Sequence, residues 1–138
     1  MSTIENRKFP RAKTGIKIGY EFVKWNEKRL DKLKKAKIAN IIDISTNGIG
    51  LTNLTDLSKN ILEKLEKGKL KVRLEIFLFK DKDPLITFAR LVWSDTKHES
   101  GIHRYGFVFL DVTESFYINI KNFVDDHVKK NHKKNNHH

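Results

Sequence analysis

The sequence predicts a mainly β protein: a six-stranded antiparallel β-barrel, closed or nearly closed, with a C-terminal helix. Three observations predict it. Short runs alternate apolar with polar residues, most clearly Leu70, Val72, Leu74, Ile76 and Leu78 against Lys71, Arg73 and Glu75. Turn chemistry separates the runs, as at Asn47-Gly48 and Asp81-Lys82-Asp83-Pro84. The period changes near the end, where Phe116, Ile120, Phe123 and Val124, with Val128 beyond, recur at helical spacing. Short antiparallel strands that each bury one face close most simply into a small barrel, and a helix with one apolar face packs on it.

The elements follow in order. The first dozen residues read as an arm. Ile16, Ile18, Tyr20 and Phe22 then alternate with Lys17, Gly19 and Glu21, a half-buried strand. Trp25 to Lys37 is charged, with Leu30 and Leu33 on one side, and is either a long loop or a short surface helix. A second strand runs from about Ile38 to Ile44, and Ile49 and Leu51 begin its partner beyond the Asn47-Gly48 turn. Thr55 to Glu66 reads as a helix: Leu57, Ile61 and Leu65 share a face, Thr55 can cap the start and Gly68 can end it. The Leu70–Leu78 strand follows, then Leu85 to Trp93 and Arg104 to Val112, joined by the polar stretch Ser94 to His103. From Lys129 the Lys-, Asn- and His-rich chain reads as disordered, and His137-His138 has the composition of a tag remnant. The expected division is therefore an arm over 1–12, a barrel with its helix over 13–128 and a basic tail over 129–138.

A chain of 138 residues holds one domain with one core. There is no cysteine, which excludes disulfides and thiolate metal sites and fits a reducing compartment. No segment is apolar enough to span a membrane, and Met1–Glu5 lacks the apolar core of a signal peptide, so a cytoplasmic protein is expected. The net charge of +11, from 28 basic and 17 acidic residues, favours anionic partners. The lysines are scattered, however, over 24–37, 59–71 and 129–134 rather than gathered on one element.

Two motifs carry chemistry. Arg7-Lys8-Phe9-Pro10-Arg11 places two arginines four apart on a segment that Pro10 keeps from being helical. Asp43-Ile44-Ser45-Thr46-Asn47-Gly48 ends a strand. Alone, the first is a solvated basic arm and the second an Asx-type turn. Together, in this order and before β-rich sequence, they resemble the PilZ domain, the bacterial receptor module for the second messenger cyclic di-GMP. That family is marked by RxxxR followed about one strand later by (D/N)xSxxG. The resemblance runs from about Glu5 to about Val124 and implies a six-stranded antiparallel barrel with helical additions.

The resemblance implies cyclic di-GMP as the ligand, with no other cofactor, and implies as its contacts Arg7, Arg11, Asp43, Ser45 and Gly48. The residue types suit the ligand. A guanidinium forks onto phosphate oxygens, stacks on a base and can take the guanine O6/N7 edge. Asp43 can accept the guanine N1 and N2 protons, and the Ser45 hydroxyl can reach a phosphate or set the turn. Asn47 and Gly48 tolerate positive φ, and Gly48 lets backbone approach a ligand. Asn6 stands where many members carry a further arginine, a position that bears on whether one ligand or an intercalated pair binds. Asn6, Lys8 and Asn47 form an outer set of candidates. Trp93 and Gly106 look like the later family strands and support the fold.

No enzyme is expected. Ser45 has no histidine partner in the sequence and lies outside a G-x-S-x-G turn; no Walker loop, calcium loop or GxGxxG appears. His98, His103, His127 and His132 form no metal-ligand spacing. The expected partner beyond the nucleotide is an unidentified effector protein, with motility, adhesion, exopolysaccharide or virulence control as the output by family analogy. Two alternatives compete: a nucleic-acid-binding barrel, which lacks aromatic residues placed clearly on an exposed strand face, and a PilZ-like interaction domain without ligand, which the intact motifs disfavour.

Overall fold

The structure is a computed structural model that describes residues 12–31, 33, 36–55, 57–96 and 102–135, with the side chains of 12, 13 and 129–135 excepted. Its strands are β1 (Ala12–Lys13), β2 (Lys17–Lys24), β3 (Lys37–Ile44), β4 (Gly48–Thr52), β5 (Leu70–Ile76), β6 (Leu85–Asp95) and β7 (Arg104–Leu110). Its helices are α1 (Lys59–Glu66) and α2 (Glu114–Asn135). All pairings are antiparallel, in the order β3-β2-β5-β6-β7-β4, and β4 pairs back onto β3. The sheet is therefore a closed six-stranded barrel. β1 is not a seventh stave. It lies on the edge of β3 that β2 also occupies, with Ala12 opposite Ile44 and Lys17 opposite Asn40. From Lys13 to Lys17 the chain takes four steps against three on β3, so Thr14–Ile16 bulges. The bulge is held by Thr14 N–H on the Ile42 carbonyl at 3.0 Å and Ile41 N–H on the Ile16 carbonyl at 2.8 Å.

Alternation decides the interior. Ile18 and Tyr20, Ile41 and Ile44, Ile49 and Leu51, and Val72, Leu74 and Ile76 are all buried in one cluster. β6 and β7 add Ala89, Leu91, Phe107 and Phe109 to the same cluster. The helix α2 buries Phe116, Ile120, Phe123 and Val124, with Phe116 edge-on to Phe109 at 5.0 Å between ring centres. Each such fully buried side chain contributes on the order of 1.5–3 kcal/mol. Val128, grouped with this face by its spacing, is 42% exposed.

Several boundaries differ from the expectations, each for a local reason. α1 starts at Lys59, and its cap is Ser58 rather than Thr55: the Ser58 Oγ accepts from Ile61 N–H at 3.2 Å. Gly68 ends the helix as expected, with φ of +73°. β5 stops at Ile76, before Leu78. β7 stops at Leu110 because Asp111 turns into the left-handed region, φ +48°. The segment from Lys129, expected to be disordered, continues the α2 backbone to Asn135. A helix already nucleated by packing extends cheaply through lysine-rich sequence.

The described residues of the Trp25–Lys37 region ahead of β3, 25–31, 33 and 36, form connection rather than helix. This connection crosses the outer face of β5 and is tied there by the polar residues of that strand. The Lys71 Nζ donates to the Glu27 carbonyl at 2.7 Å, the Arg73 guanidinium to the Arg29 carbonyl, and Leu33 N–H to Glu75 Oε2 at 3.3 Å. Arg73 also pairs with Glu21 on β2, Nε to Oε1 at 2.7 Å. Lys71 and Glu75 are consequently buried, as is Leu33, while Leu30 stays 42% exposed.

Candidate functional site

The site begins with the turn between β3 and β4. Ser45 is fully buried. Its Oγ accepts from the N–H groups of Asn47 and Gly48, each at 3.2 Å, while its own N–H donates to the Gly48 carbonyl at 2.9 Å. Of the two roles open to this hydroxyl, it takes the structural one. The Asn47 carbonyl accepts from Phe109 N–H at 3.0 Å, which ties the tip of the turn to β7. Neither Asn47 nor Gly48 adopts a positive φ. The glycine is needed for space: a Cβ at Gly48 would overlap the Phe107 carbonyl oxygen. It lets β4 and β7 approach closely, opposite Val108.

Two β-bulges arrange the outer face beside this turn. One falls between Ile41 and Asp43 on β3, the other between Leu91 and Trp93 on β6. Each inserts a residue, so Asp43 and Trp93 point outward while Ile44 and Leu91 remain buried. The register then runs straight across four strands: Asp43 opposite Gly50, Gly50 opposite Gly106, Gly106 opposite Trp93. The two glycines form a backbone floor about one strand spacing of ~4.8 Å wide, buried beneath the Asp43 carboxylate and the Trp93 indole. Asp43 bounds it on one side, its Oδ1 2.8 Å from where a Gly50 Cβ would stand. Trp93, 47% exposed, bounds it on the other, its indole Nε1 lying where a Gly106 Cβ would be. Gly106 is thus the seat of an indole. Arg90, exposed on the same face, is opposite Val108 and so two pairs along from this row.

Arg7 and Arg11, with Asn6 and Lys8, lie outside the described residues. The next residue is informative. Ala12 pairs with Ile44 and Lys13 with Asp43, so the chain following Arg11 enters the sheet beside the Asp43–Gly48 turn. Asp43, Ser45, Asn47 and Gly48 come together at that turn, with Asp43 and Asn47 at its surface and Ser45 and Gly48 beneath. Sequence reasoning missed Gly50 and assigned Trp93 to the fold alone. The signal was present in Gly48-Ile49-Gly50 and Gly106: glycines inside strands mark close approach or a flat surface. The arrangement sets a carboxylate and an indole side by side over a glycine floor, next to the turn. Among the described residues, no group of three or more His, Asp or Glu could hold a metal ion.

The described residues thus form a six-stranded barrel with a short pre-strand beside a D-x-S-x-x-G turn. The model of the PilZ domain matches residues 5–126, and the chain belongs to that family, which includes cyclic di-GMP receptors. Solved structures of similar fold include the Bacillus subtilis inhibitor of motility MotI/DgrA, with a TM-score of 0.60 at 10% identity over 94% of this chain. The PilZ domain of Escherichia coli YcgR with c-di-GMP gives a TM-score of 0.56 at 12% identity, over 96% of this chain and 99% of that one. Borreliella burgdorferi PlzA with c-di-GMP gives 0.51 at 14% identity over 94% of this chain. This chain spans 52% of the MotI/DgrA chain and 55% of the PlzA chain. A comparison with curated protein sequences finds no match.

Proposed function

We propose that this protein is a non-enzymatic receptor for cyclic di-GMP that signals to a partner protein in the cytoplasm. The ligand lies against the Asp43–Gly48 turn and the glycine floor. Asp43 accepts the guanine N–H donors, Ser45 and Gly48 shape the turn, and Arg7 and Arg11 hold phosphate and base from the other side. The observation that carries this reading is the pairing of Ala12 with Ile44, which anchors the end of the arginine segment next to the turn. Family membership and the c-di-GMP-bound YcgR and PlzA structures support it. Binding orders the arginine segment over the ligand, and the new surface is what the partner reads. Motility, adhesion or virulence control is the output by analogy with the family.

Calorimetry tests the reading. Arg11→Ala and Asp43→Ala are each expected to weaken cyclic di-GMP binding at least about tenfold, the scale of a lost charged hydrogen bond. Wild-type affinity in both variants would remove the assigned site.

A further inference from the structure

A second surface is built where β2 hands over to the crossing segment. Lys24, Trp25 and Asn26 at the end of β2, Lys69 and Leu70 at the start of β5, and Lys64 on α1 line a cleft of about 480 Å³. The backbone of Trp25 is tied to the start of β5. Its N–H donates to the Lys69 carbonyl at 3.2 Å, and Glu27 N–H closes the turn on the Lys24 carbonyl at 3.0 Å. One side of the indole is already taken by the Lys71 ammonium, 5.9 Å from the ring centre, which itself sits 3.8 Å over Phe88. The rest of the ring is open, and the residue is 41% exposed. Lys24, Lys64 and Lys69 are exposed, and among the described residues none of the three is in an ion pair. No carboxylate lines the cleft.

An exposed indole surrounded by ammonium groups that, among the described residues, form no ion pair is a surface short of its complement. Tryptophan is the residue type most enriched at the energetic centres of interfaces, and rim charges choose the partner and speed its arrival. We propose that this cleft docks an acidic segment of a partner protein, one apolar side chain lying on Trp25 and Leu70 and flanking carboxylates meeting Lys24, Lys64 and Lys69. A nucleic-acid strand fits less well. Its phosphates need a continuous basic track, and on α1 Lys64 is flanked by the exposed carboxylates of Glu63 and Glu66. The docking surface deepens the receptor reading by supplying its output face. It lies on β2 and β5, whereas the glycine floor lies on β4 and β7.

The test uses the isotopically labelled full chain and three probes: the capped peptide Glu-Asp-Phe-Glu-Asp, its counterpart Lys-Lys-Phe-Lys-Lys, and a short oligothymidylate. The acidic peptide is expected to move the Trp25 indole resonance saturably, with affinity falling as salt rises. Lys64→Glu combined with Lys69→Glu is expected to weaken it at least about tenfold, and Trp25→Ala likewise when followed on the Leu70 backbone amide, while the basic peptide leaves the indole resonance of wild type in place. The proposal is overturned if the acidic peptide leaves Trp25 unmoved, if charge reversal does not change the titration, or if oligothymidylate binds there more tightly. The lysine variant is also titrated with cyclic di-GMP and is expected to match wild type within about threefold, since the cleft lies on β2, β5 and α1 and the turn with its glycines on β3, β4 and β7. A larger loss places the cleft within the nucleotide site and overturns its separate role. Should wild type itself not bind cyclic di-GMP, the receptor reading falls while the peptide titration still decides the cleft.

Discussion

Single residues at the site differ in what their neighbours can yield. A Cβ at Gly48 meets a backbone carbonyl fixed by the β4–β7 ladder, whereas one at Gly106 meets an indole that is half exposed. Gly48→Ala is therefore expected to cost about 2–3 kcal/mol of stability, near the upper end for overpacking, and Gly106→Ala about 1 kcal/mol or less. Urea denaturation separates the two, and Gly106→Ala should also red-shift Trp93 emission as the ring swings out. Tyr105, buried on β7, gives a pH signature. Burial holds its phenol above the ordinary value of 10.0. A raised folded value means the protonated form is preferred in the native state. Its contribution is complete below pH 10.0 and is lost as pH rises through the raised value. Lys71 has the opposite sign: burial depresses its ammonium, against Asp111 and Glu27, so its cost fades as pH rises. Comparing wild type with Tyr105→Phe cancels the lysine. The stability difference between them should be flat below pH 10 and move in favour of the phenylalanine variant above it, read from urea midpoints.

Elements acquire their positions through polar ties that periodicity does not announce. Lys71, Arg73 and Glu75 alternate with core residues and look like a solvated face, yet they hold the Trp25–Ala36 crossing against β5. Replacing Arg73 with alanine removes charge-assisted bonds to Glu21 and to the Arg29 carbonyl from a side chain that is 11% exposed. A loss of about 1.5–3 kcal/mol is expected. Amide exchange over residues 27–31 should accelerate by more than that over α2, because the crossing has few other ties. Equal acceleration everywhere would mean that the segment is not separately held. The capping of α1 shows the same limit of local reading. Thr55 and Ser58 both precede an apolar run, and the Tyr20 hydroxyl chooses between them by accepting from Thr55 N–H at 3.2 Å. That contact fixes Thr55 outside the helix.

Closure of the barrel makes the molecule respond as a unit. The ring of six strands is completed only by β4 on β3, the hairpin whose turn carries Ser45 and Gly48. A ligand seated there bridges the point of closure and is expected to stabilise the whole domain. At a hundredfold excess over Kd the gain is about 2.7 kcal/mol, or on the order of 10 °C in Tm for a domain of this size. Thermal denaturation with and without cyclic di-GMP measures it. A tenfold loss of affinity in Asp43→Ala or Arg11→Ala should remove about half of the shift at the same concentration, each variant being compared with its own free protein.

Much of this architecture was legible from the residue order, because alternation and turn chemistry are local. Leu70 to Ile76 reads as a strand wherever it is placed, and Asp43 to Gly48 reads as a turn with ligand-type side chains. Registers are not local. One inserted residue in β3 and one in β6 turn Asp43 and Trp93 onto the face where Gly50 and Gly106 meet, and nothing in either strand's pattern marks the insertion. The same holds for Gly48, chosen for the nearness of a strand some sixty residues away rather than for the turn it ends. Side-chain type and spacing set the elements. The long-range pairing of backbones, which costs chain entropy and depends on every strand at once, set where their chemistry converges.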